Sequence, residues 1–180
     1  SWFACEDEGV VPDLLCVGKA LSGTLPIAAC IGSREVMESW PTSGGEAIHT
    51  STFLGNPLAC AAGLASLGEI KRRDLVVRSA SEGERWMKEL CDTLAVHRTV
   101  GEVRGRGLMI GIDLVVDPST REPAPQLAGR VVTEALRGGW IVLAGGPAGN
   151  VISLSPPLSL SRDLMRAATR MLDEAIGRAC

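Results

Sequence analysis

Tyrosine is absent from this sequence, phenylalanine occurs twice, and four tryptophans complete an aromatic content of 3%. So sparse a set argues against base stacking or an aromatic sugar platform. Basic residues are in deficit as well: 18 Lys and Arg against 21 Asp and Glu leave a net charge of −3. No basic excess is available to neutralise nucleic-acid phosphates. No apolar run reaches the ~18 residues of a membrane span. The longest candidates, 54–67 and 108–116, contain Asn56 and Asp113. Ser1–Val10 is acidic rather than basic, so it lacks the pattern of a secretory signal. The six cysteines are widely spaced with no C-x-x-C pair. That excludes a cysteine metal cluster and a small disulfide scaffold. Set among apolar neighbours, they read as small buried hydrophobes of a protein in the reducing cytoplasm. No repeat or low-complexity segment occurs.

At 180 residues, with 46% hydrophobic and 22% charged, the chain suits one globular domain or two small ones. Leu14–Val17 and Ile27–Ile31 are short apolar runs that read as buried strands. Ser33–Ser39 reads as a short helix capped by Ser33. Asn56-Pro57 marks a helix start, a capping residue followed by proline at the first helical position. This helix is rich in small residues and ends on the cations Lys71-Arg72-Arg73. A second long helix follows, with Met87, Leu90, Cys91 and Leu94 on one apolar face. Gly101–Gly107 reads as a turn-rich lead-in to a strand over 108–116. Pro125–Arg137 is an amphipathic helix with Leu127, Val131, Val132 and Leu136 inward, ended by Gly138-Gly139. Trp140–Leu143 and Val151–Leu154 read as strands. Ser161–Ala179 is a final helix with Leu164, Ala168, Met171, Leu172 and Ala175 inward. The expected class is α/β. The first part would be strands and a helix of the kind that covers a mostly parallel sheet, and the second a compact α+β domain, with the boundary near 70–75.

Three features could carry chemistry. Lys19 follows an apolar strand and one glycine, where ligands often bind in α/β sheets. A desolvated lysine can act as a neutral amine and form a Schiff base; a strand-end lysine reaching solvent is the plainer reading. In the run from His49 to Pro57, hydroxyls precede a helix N-terminus, which favours an anion such as phosphate. An ordinary capped helix fits equally well. Arg104 and Arg106 could pair bidentately with a carboxylate, or serve as structural hydrogen-bond donors. The G-x-G near them precedes a strand, which excludes a dinucleotide-binding loop.

Taken in order, five motifs are more specific than any alone: Asp13-Leu14-Leu15-Cys16-Val17-Gly18-Lys19-Ala20-Leu21, Leu25-Pro26, Thr52-Phe53-Leu54-Gly55-Asn56-Pro57-Leu58-Ala59-Cys60-Ala61-Ala62, Val103-Arg104-Gly105-Arg106-Gly107-Leu108-Met109 and Ser155-Pro156-Pro157-Leu158. The series resembles the class III, or ω-type, aminotransferases among the fold type I pyridoxal 5'-phosphate (PLP) enzymes. It runs nearly the length of the chain. The resemblance implies that Lys19 holds PLP as a Schiff base and shuttles a proton, and that Thr52 binds its phosphate. It implies a homodimer with the PLP site at the interface, and an amine or amino-acid substrate. Residues 1–72 would end the large PLP-binding domain, and 73–180 would be the C-terminal small α+β domain. The activity expected is amino-group transfer. Another PLP reaction on the same scaffold, such as a phospho-lyase, aminomutase or decarboxylase, or a non-catalytic fragment, is the alternative. Two departures stand out. The family's pyridine-binding aspartate lies upstream of its lysine block, and Glu6, Asp7, Glu8 and Asp13 do not match its motif. The sequence is therefore expected to be the C-terminal part of a longer enzyme. Ser153 stands where many members carry a carboxylate-binding arginine, and serine cannot make that pair.

Overall fold

The computed structural model describes residues 1–42, 44–45 and 52–180. They divide into two compact units, Ser1–Val76 and Val77–Cys180.

The first unit opens with a short helix, α1 (Ala4–Asp7), then β1 (Leu14–Val17), a single 3-10 turn (Lys19–Leu21), β2 (Ala29–Gly32), α2 (Arg34–Glu38) and α3 (Pro57–Arg72). β1 and β2 form a two-stranded antiparallel ladder, with Leu14 opposite Gly32 and Val17 opposite Ala29. The expectation of a mostly parallel arrangement is corrected here. A parallel crossover needs a dozen or more residues, usually helical, and only a 3-10 turn lies between these strands. The strands are also not buried. Leu14 and Ile31 are about half exposed, because the described part of this unit offers one long helix and cannot cover both faces. Five of the six cysteines are exposed, against the expectation of buried thiols. The Asn56 cap forms as expected, its Oδ1 accepting from the Ala59 N–H at 3.1 Å. Ser33 caps α2 in the same way, accepting from the Val36 N–H. Of the small residues on α3, Ala59 and Gly63 are the buried ones. A Cβ on Gly63 would lie 3.8 Å from Ile27 Cδ1 and 3.9 Å from the Leu21 carbonyl. The helix therefore lies close against the loop that follows β1.

The second unit contains nearly all of α4 (Leu75–Leu94), then β3 (Val100–Arg106), β4 (Met109–Leu114), α5 (Pro125–Arg137), β5 (Leu143–Gly145), β6 (Val151–Leu154) and α6 (Arg162–Ala179). The four strands form an antiparallel sheet in the order β3-β4-β6-β5. Along β4, Ile110, Ile112 and Leu114 alternate into the core, where α4, α5 and α6 cover that face. The core stripe of α4 is Trp86, Leu90 and Leu94, all essentially buried. Met87 sits at its edge and Cys91 is exposed, so the inward face is centred one position before the expected one. The Trp86 indole N–H donates to Thr169 Oγ1 at 3.0 Å, which lets a polar-edged ring lie in an apolar core. In α5 and α6 the ends turn outward: Leu136 and Leu164 are exposed, and Ala135 and Met165 face inward instead.

Residues 101–106 lie in β3 rather than in a lead-in loop, and Gly107 begins the turn to β4. A Cβ on Gly101 would sit 2.7 Å from Val115 Cγ1, and one on Gly105 2.4 Å from the Met109 carbonyl oxygen. These glycines allow close cross-strand approach, with a register irregularity between Val100 and Glu102. The strand expected over 140–143 forms only at Leu143–Gly145. Among the described residues, no helix is long and apolar enough to cross a membrane.

Candidate functional site

β1 ends at Val17, and the chain passes through extended Gly18 into the turn that carries Lys19. Lys19 has φ +51°, in the left-handed region. That region is sparsely populated by residues with a Cβ, and holding one there costs roughly 1–3 kcal/mol. Strain of this kind gathers where a side chain must be aimed. The turn is pinned just beyond the lysine by Ser22, a buried hydroxyl. Ser22 Oγ donates to the Leu25 carbonyl and accepts from the Leu25 N–H at 2.9 Å. The sequence reading missed Ser22. Its signal is the Ser-Gly-Thr-Leu-Pro run, where a hydroxyl can close a turn on its own backbone.

Lys19 lines a pocket of about 720 Å³ with Pro26, Ile27, Ala28, Ala29, Phe53, Leu54, Gly55, Asn56, Ala59 and Cys60. That volume falls within the range of small-molecule sites. One wall is the start of α3. The first-turn N–H groups of a helix have no intrahelical acceptor and attract anions. Pro57 contributes none, and Asn56 takes that of Ala59. The chain reaches this helix through Gly55 at φ +65° and a bond from the Asn56 N–H to the Phe53 carbonyl at 3.1 Å. The pocket thus places an amine and a helix N-terminus on one wall-lined space.

Thr52 is exposed on the turn leading to Asn56 and adjoins the lining residue Phe53, but is not itself in the lining. His49, Thr50 and Ser51 lie outside the described residues. No carboxylate is among the lining residues, so nothing in that lining would meet a pyridinium nitrogen. In the second unit, Arg104 Nη1 pairs with Glu102 at 3.2 Å and Asp113 at 3.5 Å, an ion-pair role within the sheet. Ser153 is exposed on β6, opposite Gly111 and Leu143. Groups of three or more metal-ligating side chains are absent among the described residues.

The family model described as "Aminotransferase class-III" matches residues 1–176. A leucine/methionine racemase from Thermococcus litoralis is 41% identical over 175 residues, covering 97% of this chain and 38% of that protein. A 4-aminobutyrate aminotransferase from Mycobacterium leprae is 40% identical over 176 residues, again 97% of this chain and 38% of the other. Among solved structures, an amine transaminase from an uncultivated Pseudomonas species, in its PLP-bound form, superposes with a TM-score of 0.86 at 36% identity. That match covers 97% of this chain and 40% of the transaminase. The chain thus spans about two fifths of the length of the proteins it matches.

Proposed function

Since the chain belongs to the class-III aminotransferase family, we propose that it is part of an enzyme moving an amino group between an amine or amino-acid donor and a carbonyl acceptor with PLP. The observation that carries this reading is the pocket shared by Lys19 and the N-terminus of α3. Lys19 supplies the amine that anchors the cofactor's aldehyde end. The α3 start, with Thr52 beside it, receives the phosphate. When bound, PLP supplies an electron sink that stabilises negative charge at the substrate Cα. Lys19 Nζ would take the substrate Cα proton and return it. The pyridine nitrogen would need a carboxylate partner, and the lining holds none. Residues 1–72 form the end of the large PLP-binding domain and 73–180 the small domain. The working unit is a homodimer in the cytoplasm, with the PLP site at the interface.

A second reading rests on the racemase, which is as similar to this chain as the aminotransferase is. There the Cα proton returns to the same carbon on either face and no carbonyl product leaves. For the transfer reading, Ser153 in place of an arginine speaks against an ordinary α-keto acid acceptor.

The test is borohydride reduction of the protein with PLP, followed by peptide mapping. The sequence has only three lysines, Lys19, Lys71 and Lys88. Label on Lys19, lost in Lys19→Arg, is the expected result. Equal labelling of all three overturns the assignment. Product analysis then separates the readings: a carbonyl product marks transfer, and an inverted amino acid without one marks racemisation.

A further inference from the structure

Cys16 on β1 stands directly opposite Cys30 on β2, with the two Sγ atoms 3.8 Å apart. Both thiols are free, and both are exposed among the described residues of a chain that spans about two fifths of its relatives' length. Residues opposed in an antiparallel ladder lie about 4.5 or 5.5 Å apart at Cα, depending on the pair type. Either spacing falls inside the ~4.4–6.8 Å window that a disulfide accepts. To bond at ~2.05 Å the sulfurs must approach by ~1.8 Å, a displacement that side-chain rotation covers. The other cysteines occupy different places: Cys5 on α1, Cys60 on α3, Cys91 on α4 and Cys180 after α6.

We propose that Cys16 and Cys30 are a redox pair that closes to a reversible cross-strand disulfide on meeting a small-molecule disulfide such as oxidised glutathione. One cysteine thiolate attacks the glutathione disulfide, forms a mixed disulfide and releases one glutathione thiolate. The other cysteine loses its proton and attacks the protein sulfur of that mixed disulfide, and the second glutathione leaves. Two protein thiols give up two electrons, and one oxidised glutathione becomes two reduced ones. The hydrogen bond with Cys16 raises the Cys30 thiol pKa above its ordinary value. The ring so closed contains Lys19 and the pocket-lining run 26–29. Oxidation therefore ties together the two strands that flank the pocket's lysine turn. The proposal stands whether or not Lys19 holds a cofactor.

The test treats the full protein with oxidised glutathione, caps remaining thiols with iodoacetamide, and digests with trypsin and glutamyl endopeptidase. Cuts after Glu8 and Lys19 separate Cys16 from Cys5, and cuts after Lys19 and Arg34 isolate Cys30. The expected product is a linked pair of these two peptides, two hydrogens lighter than their thiol forms and released by dithiothreitol. In Cys30→Ser the linked pair disappears and Cys16 carries glutathione instead. Recovery of both cysteines alkylated, both as separate glutathione adducts, or either linked to another cysteine overturns the proposal.

Discussion

Gly83 and Gly129 both lie inside helices of the second unit, yet alanine at the two positions should have opposite effects. Helix propensity alone favours alanine over glycine by ~1 kcal/mol at each. At Gly129 in α5 a Cβ meets nothing within 4 Å, so Gly129→Ala should stabilise by up to about that amount. At Gly83 in α4 a Cβ would lie 2.1 Å from the Gly107 carbonyl oxygen and 2.7 Å from its Cα. Ordinary contact starts at 3.4 Å, so helix and turn must part by about 1.3 Å. Gly107 cannot yield easily. It is held at φ +55°, a Cβ on it would itself sit 2.6 Å from Ser79 Oγ, and the next N–H, of Leu108, donates to that hydroxyl at 3.2 Å. Forced separation of packed elements costs ~1–3 kcal/mol. It also loosens Trp86, one turn further along α4 with 1% exposure. An overlap of about 1.3 Å against backbone falls at the upper end of that range, ~2–3 kcal/mol, and subtracting the propensity gain leaves a net loss of about 1–2 kcal/mol for Gly83→Ala. Urea unfolding followed by tryptophan fluorescence, with Trp2, Trp40 and Trp140 replaced by phenylalanine in parent and variants alike so that buried Trp86 is the reporter, reads both variants. A Gly83→Ala protein as stable as the parent would refute the reasoning that this contact is tight.

Two further outcomes are expected. Glu82 is buried and accepts from Arg162 Nε at 2.9 Å and Arg85 Nη2 at 2.8 Å, and these bonds lower its pKa from 4.5 to about 2. A depressed carboxylate stabilises the fold fully above its unfolded value and ceases to as pH falls through its folded one. The advantage of the parent over Glu82→Gln in urea should therefore hold at neutral pH and shrink between about 4.5 and 2; an advantage unchanged across that range would refute the pairing. Asn56→Ala removes the acceptor for the Ala59 N–H and should cost ~1 kcal/mol. Faster amide exchange in the first turn of α3, restored by Asn56→Asp, is the signature to measure.

What could be read from residues alone was local chemistry. The Asn56-Pro57 start and the Ser33 cap are decided within four residues by which N–H groups need an acceptor, and both form. The family, too, was legible, because its motifs are runs of neighbouring residues. Burial was not, since it depends on what lies across the gap. Leu14-Leu15-Cys16-Val17 is as apolar as a buried strand should be, yet it is half open here. Leu136 and Leu164 match helical periodicity and still point outward, because Ala135 and Met165 complete the core at the helix ends. Glycine was ambiguous in another way. The run 101–107 suggests turns by composition, but two of its glycines are there because a neighbouring strand leaves no room for a Cβ. The antiparallel pairing of β1 and β2 could have been read, because the span between them is too short for a covering helix. Ser22 could have been found as well, from the turn chemistry beside Lys19.

The two units differ in how they are held, and that bears on the pocket. The second has one continuous core drawn from α4, β4, α5, β6 and α6. Each large side chain fully buried there contributes about 1.5–3 kcal/mol. In the first unit the large apolar side chains Phe53, Leu54, Leu58 and Leu64 are exposed. Among the described residues its order rests on short-range devices instead: the Ser22 turn, the Asn56 cap and a four-residue ladder. Each such hydrogen bond is worth only about 1 kcal/mol net, and regions with few buried apolar contacts open at lower free energy than the core. The Lys19 turn, held in a strained conformation, belongs to that lower-stability part. Measurements centred on Trp86 therefore report the second unit and say little about the pocket, whereas ligand at the pocket stabilises the first unit by binding only its folded state. A cross-link between Cys16 and Cys30 would act in the same place by another route. Closing a ring of 15 residues removes about 3 kcal/mol worth of unfolded-chain entropy, comparable to the strain that the turn carries. The residues that aim Lys19 thus lie where a ligand or a single covalent bond has the largest leverage on the fold.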